Sequence, residues 1–199
     1  MSNKGIVLLG LGPGDPQCLT REAWDWLAQI DEIYLRTNLH PAVVALPVQL
    51  QRLSFDFLYQ EQAELEQVFE EIINKVLELG QRPGGVTYAV PGHPFVAEET
   101  CPEIARRAQE RAIPVRVIEG LSFLESTFRA LSLDPFPQLT LVDALKIDQL
   151  QVPSFPCSQP VLIGQIYNRM LASNIKLTLM SIYPDEHPVR LVHAAGMPE

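Results

Sequence analysis

"GIVLLGLGPGDP", residues 5–16, runs from an uninterrupted apolar segment into a turn of glycine and proline that ends with an acidic residue and a proline. A continuous apolar run bounded by turn residues is typical of a strand buried on both faces, as in a parallel sheet. The pattern returns at residues 85–95, "GVTYAVPGHPF". We therefore expect two buried parallel strands, each followed by a turn with few side chains.

The rest of the first 118 residues alternates between strand and helix patterns. Further strands are predicted at 32–35 and 114–118, and helices at 20–28, 61–79 and 98–111. This alternation favours a doubly wound parallel sheet, in which ligands bind at the carboxyl ends of the strands.

The pattern changes after residue 118. A helix is predicted around residues 121–131, and short strand patterns follow at 139–142, 161–166, 176–182 and 189–194. We therefore predict an α/β protein of two lobes. Residues 1–118 form a mostly parallel, doubly wound lobe, and residues 119–199 form a smaller lobe with a mixed sheet.

Composition and charge exclude several classes of protein. The chain has 199 residues, 47% of them hydrophobic and 20% charged, with a net charge of −9. This acidic balance disfavours binding along a nucleic-acid backbone, which needs clustered Lys and Arg. No apolar run reaches the roughly 18 residues that span a bilayer, and the N-terminus has no secretory h-region. Three cysteines without a C-x-x-C pair and four histidines without ligand spacing indicate a cytoplasmic protein that holds no metal.

The first turn does not match the two common phosphate-binding motifs. A Walker A loop needs a lysine after its last glycine, but Gly14 is followed by Asp15 and Pro16. A dinucleotide fingerprint needs G-x-G-x-x-G, whereas here the third glycine comes one residue early and Pro13 occupies the first spacer. The carboxylate of Asp15 would also repel a pyrophosphate. Neither phosphate interpretation holds.

The spacing of residues leaves the chemistry of the site open. Two bare turns at strand ends let a ligand approach the backbone closely, although such turns are often only structural. His93 is either a general base or a residue that packs within its turn. "GLSFL", residues 120–124, lacks the final glycine of a G-x-S-x-G elbow. These patterns indicate an α/β ligand-binding protein and no more.

Several longer stretches carry a family resemblance. They are "LLGLGPGDPQCLTREAWDWL" (8–27), "YLRTNLHPAV" (34–43), "SFDFLYQ" (54–60), "YAVPGHPFVAEET" (88–100), "EGLSFLESTF" (119–128), "LTLVDAL" (139–145) and "KLTLMSIYPDEHPVRLVHAAG" (176–196). Together they resemble the tetrapyrrole (corrin/porphyrin) methylases, the class III S-adenosylmethionine-dependent methyltransferases. Within that family they resemble the branch whose methylase domain precedes a MazG-type nucleotide pyrophosphohydrolase domain.

This resemblance implies a methyltransferase that binds S-adenosylmethionine in a cleft between two lobes and releases S-adenosylhomocysteine. It further implies a homodimer, a linked MazG-like domain and a small-molecule acceptor, with tetrapyrroles among the candidates. The cofactor contacts that it implies are Pro13, Gly92, His93, Pro94, Val96, Ser122, Phe123, Gln165, Ile166, Ala194 and Ala195. Candidate acid/base or substrate-anchoring groups are Asp15, Arg36, His40, Asp56, Tyr59 and Tyr88, of which we favour Asp15, Arg36, His40 and Tyr59 as catalytic.

The chain departs from the family pattern at two places. His93 stands where the family usually has an aspartate, so a contact that needs a carboxylate would be lost there. The chain also ends at Glu199, before a further strand and the second domain that the resemblance leads us to expect. The competing class of function is a non-catalytic module that binds the cofactor or a metabolite and regulates a linked pyrophosphohydrolase.

Overall fold

The computed structural model describes residues 5–61 and 64–197, which form two compact units. The first unit comprises the described parts of Met1–Ala130 and Ala194–Glu199, and the second comprises Leu131–His193. The division thus falls at the end of a helix rather than at residue 118, where the sequence pattern changes. The last described residues also return to the first unit.

A five-stranded parallel sheet forms the centre of the first unit. Its strands are β1 (Ile6–Gly10), β2 (Glu32–Leu35), β3 (Gln51–Ser54), β4 (Val86–Val90) and β5 (Val115–Ile118). They lie in the order β3-β2-β4-β1-β5, and every neighbouring pair is parallel. Strands β1 and β4 are buried along their whole length, which confirms the expectation from their apolar sequences.

Helices cover both faces of this sheet. The helical elements are a 3₁₀ turn at Pro16–Cys18, α1 (Arg21–Leu27), a 3₁₀ turn at Pro41–Ala45, α2 (Leu58–Glu61), α3 (Leu65–Leu79), α4 (Thr100–Glu110) and α5 (Phe123–Leu131). Alternate residues of β1 point to opposite faces, so Ile6 and Leu8 pack with α3 and α4, whereas Val7 and Leu9 pack with α1. The doubly wound architecture is confirmed.

The second unit has its own small core. It contains β6 (Thr140–Asp143), α6 (Ala144–Asp148), β7 (Val161–Gly164) and α7 (Arg169–Leu179). The two strands pair in parallel, and residues of α6 and α7 pack with them. Both described sheets are therefore parallel, and the α/β class is confirmed.

Two predicted strands of the second lobe are wrong. Residues 176–182 alternate in polarity, but most of that stretch is the end of α7, which Asn168 caps by accepting the Leu171 N–H at 2.8 Å. Helical spacing decides this segment, because Leu171 and Ile175 are buried one turn apart while Leu177 is exposed. Residues 189–194 form no strand, and Leu191 is 88% exposed. A mixed sheet is therefore not formed by the described residues.

Two elements of the first unit also differ from expectation. Strand β3 was not predicted, because the edge segment QRLS has only one large apolar residue and carries little periodic signal. The predicted helix 61–79 begins later, at Leu65, because Glu64 has extended backbone angles. Residues 62–63 of that prediction lie outside the described residues.

Candidate functional site

The two glycine-proline turns meet at the point where the chain changes direction across the sheet. Strands β1 and β4 are neighbours, but the chain leaves β1 for α1 on one face and leaves β4 for α4 on the other. In open parallel sheets, such a switch point opens a crevice outside the carboxyl ends of the strands, where ligands bind. The topology therefore places the candidate site at residues 11–15 and 91–96, which we call the paired turns.

Backbone hydrogen bonds join the paired turns directly. The Gly12 N–H donates to the Gly92 carbonyl at 3.2 Å, and the Gly92 N–H donates to the Gly12 carbonyl at 2.7 Å. Gly92 has φ +70°, a conformation that a side chain strains. This reciprocal bridge holds the two strand ends at a constant separation.

A third strand end packs beneath this bridge. A Cβ on Gly10 would lie 2.5 Å from the Gly92 oxygen and 2.6 Å from the Gly120 nitrogen. A Cβ on Gly120 would also overlap the Gly92 oxygen. Glycine is therefore required at both positions by close backbone approach. The requirement at Gly120 could not be predicted, since nothing in the local sequence shows that β5 lies beside β1.

The paired turns have few hydrogen-bond donors to offer. The prolines at 13, 91 and 94 have no N–H, and the N–H groups of Leu11, Gly12, Asp15, Gly92, Phe95 and Val96 all donate within the first unit. Only the N–H groups of Gly14 and His93 have no acceptor among the described residues. By contrast, the carbonyl oxygens of Pro13, Gly14, Pro91 and Pro94 accept no hydrogen bond from a described residue. A phosphate cradle needs several outward N–H groups, so this inventory agrees with the exclusion of phosphate motifs.

His93 lies in the second turn, and one of its ring nitrogens accepts a hydrogen bond within that turn. Its Nδ1 accepts the Phe95 N–H at 3.0 Å. Asp and Asn side chains make the same bond to the N–H two residues ahead in an Asx turn. The imidazole nitrogen thus accepts the hydrogen bond that a carboxylate oxygen would accept. The turn therefore keeps its shape with histidine at the position where the family resemblance leads us to expect aspartate.

The end of the described chain packs against the first turn. The Asp15 N–H donates to the Gly196 carbonyl at 2.8 Å, and a Cβ on Gly196 would lie 2.6 Å from Pro13 Cγ. Ala194, with φ +54°, and Ala195 begin this segment. The structure therefore brings the two C-terminal alanines into the same unit as Pro13, Gly92 and His93.

Ser122 caps the helix that follows β5. Its N–H and Oγ both donate to Glu125 Oε2, at 2.7 and 2.6 Å, and its Oγ accepts the Leu124 N–H. Burial raises the pKa of the Glu125 carboxyl, but its hydrogen bonds with the Ser122 hydroxyl and with backbone N–H groups lower it more strongly, so the net shift is downward. Ser122 and the half-buried Phe123 thus begin α5, and the S-x-x-E spacing is the sequence signal for this capping box.

Arg36, at the carboxyl end of β2, takes part in a buried polar network. Its guanidinium pairs with Glu98, donates from Nε to the Tyr59 hydroxyl at 3.1 Å and lies 5.0 Å from the Phe69 ring centroid. Burial lowers the pKa of Arg36, while Glu98 and Tyr59 raise it more strongly, so the net shift is upward. Arg36 and Tyr59 are therefore brought together by a hydrogen bond, and Arg36 is also paired with Glu98.

Glu98 is the member of this network that the sequence analysis missed. Its side chain is 2% exposed, and its Oε1 accepts the N–H of Thr100 at 2.7 Å at the start of α4. One carboxylate thus caps the helix that follows the second turn and pairs with the arginine that follows β2. Only its position at the start of the predicted helix 98–111 could have suggested this role.

His40 and Asp15 take different positions around the first turn. His40 is buried and interacts with the backbone of Gly12, and its Nδ1 has no hydrogen-bond partner among the described residues. Asp15 uses its carboxylate to accept the Gln17 N–H at 2.9 Å and so caps the 3₁₀ turn that follows. His40 thus lies beside the paired turns, and Asp15 is the last residue of the first of them.

Gln165 and Ile166 belong to the second unit. They follow β7, where Gln165 has φ +64° and its amide donates to Asp143 Oδ2 at 2.7 Å. Among residues 5–61 and 64–197, no three His, Cys, Asp or Glu side chains cluster so that they could hold a metal ion. No helix in the described ranges is long and apolar enough to cross a bilayer.

Comparison with known proteins gives this arrangement a family. The profile of the tetrapyrrole (corrin/porphyrin) methylases matches residues 5–199. The chain belongs to this family. The tetrapyrrole methylase fold accounts for the parallel sheet.

Three known proteins are similar to this tetrapyrrole methylase. The uncharacterized protein YabN of Bacillus subtilis is 39% identical over 194 residues, and a siroheme synthase of Nitrosococcus oceani is 31% identical over 118 residues. These alignments cover 96% and 59% of the chain, which spans only 38% and 24% of the length of the two relatives. The crystal structure of uroporphyrin-III-C-methyltransferase from Thermus thermophilus superposes with a TM-score of 0.60 at 21% identity, covering 91% of this chain and 73% of that one. That likeness shows the fold.

Proposed function

We propose that this protein is an S-adenosylmethionine-dependent methyltransferase whose cofactor binds at the paired turns. The observation that carries the proposal is the hydrogen-bonding character of these turns at the switch point of the sheet. Their carbonyl oxygens at Pro13, Gly14, Pro91 and Pro94 have no partner among the described residues, against two such N–H groups, those of Gly14 and His93. Carbonyl oxygens suit a ligand that carries positive charge and N–H donors. S-adenosylmethionine has both, in its sulfonium and its ammonium group, and membership of a methylase family supports the same cofactor.

The proposed cofactor contacts follow from this placement. Pro13, Gly92, Pro94 and Val96 would contact the donor through backbone groups. Ser122 and Phe123 lie at the start of α5, and Ala194 and Ala195 directly precede Gly196, whose carbonyl accepts the Asp15 N–H. Gln165 and Ile166 remain predictions from the family resemblance.

Methyl transfer requires mainly that the protein align the methyl donor with the acceptor. The nucleophilic atom of the acceptor forms a bond to the methyl carbon while the carbon–sulfur bond breaks, and S-adenosylhomocysteine leaves. The protein has to orient the two molecules and, for some acceptors, to take up a proton. Asp15, His40, and Arg36 with Tyr59 surround the carboxyl edge and are the groups that we propose for anchoring the acceptor or moving that proton.

The wider biology is part of the proposal. We propose a small, tetrapyrrole-like acceptor, a homodimeric cytoplasmic protein and a MazG-type pyrophosphohydrolase domain as linked partner. The length of YabN beyond the aligned region leaves room for such a domain in a related protein.

Calorimetric titration with S-adenosylmethionine and S-adenosylhomocysteine tests the proposal. We expect binding of both, and we expect Gly92→Val to abolish it, because a branched side chain would strain the positive φ of the turn. Gly84→Val is the matched control, since its Cβ would meet no atom within 4 Å and its φ is not positive. Absence of binding by the wild-type protein at millimolar concentration would refute the proposal. Binding without methyl transfer to porphyrinogens or to any component of a cell extract would favour the regulatory module.

A further inference from the structure

We infer that Glu98 is a positioning residue, which holds the second turn in the backbone conformation that the methyl donor needs. The inference rests on the proposed function, because it concerns how the same site keeps its shape. It gives Glu98 no contact with a ligand, since the carboxylate is buried and bonded within the first unit.

The two ends of the second turn are held by different means. At its start, Gly92 exchanges two backbone hydrogen bonds with Gly12. In its middle, the Val96 N–H donates to the His93 carbonyl at 3.1 Å. The N–H groups of residues 97–99 donate to no described residue. The far end of the turn therefore depends on side chains.

Ala97 joins the turn to Glu98 in a conformation that alanine rarely adopts. Its φ is +52°, in the left-handed region, and its methyl group is exposed. A Cβ makes this region unfavourable, so such a residue persists only where its surroundings hold it. An exposed methyl group gains little from packing. The constraint on Ala97 has to come from its neighbours along the chain.

Glu98 supplies this constraint with both oxygens of its carboxylate. Oε1 accepts the N–H groups of Thr100 and Cys101, at 2.7 and 3.4 Å, which fixes Glu98 to the start of α4. Oε2 pairs with the guanidinium of Arg36 at the end of β2. The residue after Ala97 is thus attached to two elements of the first unit.

The same contacts lead back to the strand that precedes the turn. The Thr100 hydroxyl donates to Glu98 Oε1 and lies 3.1 Å from the hydroxyl of Tyr88 in β4. Tyr88 and Thr100 are both fully buried. The chain therefore leaves β4, makes the second turn and is tied back to β4 through Glu98. Loss of this tie would let Ala97 relax and the turn change shape.

Glu98→Gln tests the tie. Glutamine has nearly the same size, and its oxygen can still cap α4, but its amide would place N–H groups against the guanidinium of Arg36. We expect Glu98→Gln to bind S-adenosylhomocysteine about tenfold more weakly in calorimetry, at a temperature where circular dichroism shows it folded. The matched control is Glu103→Gln, which breaks ion pairs with Arg106 and Arg107 on the same helix and should bind as tightly as the wild-type protein.

Ala97→Gly separates the shape of the turn from overall stability. Glycine adopts positive φ as readily as negative φ, so we expect Ala97→Gly to restore about threefold of the affinity lost in Glu98→Gln. Ala112, just after α4, is also exposed and has φ +53°. Ala112→Gly in the same background should raise the melting temperature by a similar amount but restore no affinity.

Three results would overturn the inference while the proposed function stood. The first is unchanged affinity in folded Glu98→Gln. The second is equal recovery with Ala97→Gly and Ala112→Gly, which would show that only overall stability had changed. If Glu98→Gln does not fold, Glu98→Asp keeps the charge and the cap but is one methylene shorter, and unchanged affinity in that variant is the third. Failure of the wild-type protein to bind S-adenosylhomocysteine would refute the proposed function, and the inference with it.

Discussion

At the scale of single residues, His40 shows how burial sets the protonation state of a side chain. It is 8% exposed, and its Nδ1 has no hydrogen-bond partner among the described residues. Burial lowers the pKa of His40, and its interaction with the backbone of Gly12 opposes this only in part. A charged imidazole would need acceptors for both of its N–H groups, so the folded protein favours neutral His40.

This shift predicts a loss of stability in acid. The pKa of His40 is lower in the folded state than in the unfolded state, where it is near 6.5. Stability is therefore full above that value. It falls as the pH drops below it and through the folded pKa, because the unfolded chain binds a proton that the folded chain does not. We expect His40→Gln to flatten this slope in urea denaturation between about pH 8 and about pH 5.

A control separates His40 from the other histidines. His193 is exposed, so His193→Gln should leave the pH dependence of unfolding unchanged. An unchanged slope in His40→Gln would show that other groups cause the acid sensitivity.

At the scale of elements, the ion pair of Arg36 and Glu98 joins the end of β2 to the start of α4. Glu98 is 2% exposed, and Arg36 is 21% exposed. Removal of one partner from a buried pair leaves an uncompensated charge, so we expect Glu98→Ala to lower the free energy of unfolding by about 3–5 kcal/mol. Chemical denaturation measures this change.

The double variant Arg36→Met with Glu98→Leu should regain part of the loss, because apolar replacement removes both charges. On the same helix, Glu110→Ala breaks the exposed pair with Arg106 and should change stability little. If Glu98→Ala also had little effect, the network would not hold α4 against β2.

At the scale of the whole molecule, the chain leaves the first unit after Ala130 and returns to it at Ala194. The returning segment supplies the acceptor for the Asp15 N–H and covers Pro13. A chain that ends at His193 would leave that N–H without its partner. We expect such a chain to lose about 1–3 kcal/mol of stability in urea denaturation and to bind S-adenosylhomocysteine more weakly.

The alanine variant Met197→Ala is the milder form of the same test. The Met197 side chain lies against Gly14, so its truncation should reduce binding less than removal of the whole segment. Unchanged stability and binding in the truncated chain would show that the returning segment is dispensable for the paired turns.

The sequence by itself determined the elements whose signals are local. The apolar runs at β1 and β4, the Thr20 cap of α1 and the helical spacing of α3 each depend on neighbours along the chain. The two turns and the family resemblance followed from the same contiguous residues. The two strands and the helix start were predictable because they require particular residue types locally. Strands β1 and β4 are buried on both faces and need apolar residues throughout, and the start of α1 needs a capping residue.

Only the tertiary structure decided how distant residues combine. The pairing of Arg36 with Glu98, the contact of Gly120 with Gly92 and the return of Gly196 to Asp15 join residues far apart in sequence. Segment 176–182 was predicted wrongly for the same reason. Its alternating pattern is typical of a strand, but packing in the second unit makes most of it the end of helix α7. Strand order and tertiary packing determine which distant residues meet, and neither can be read from the periodicity of a local segment.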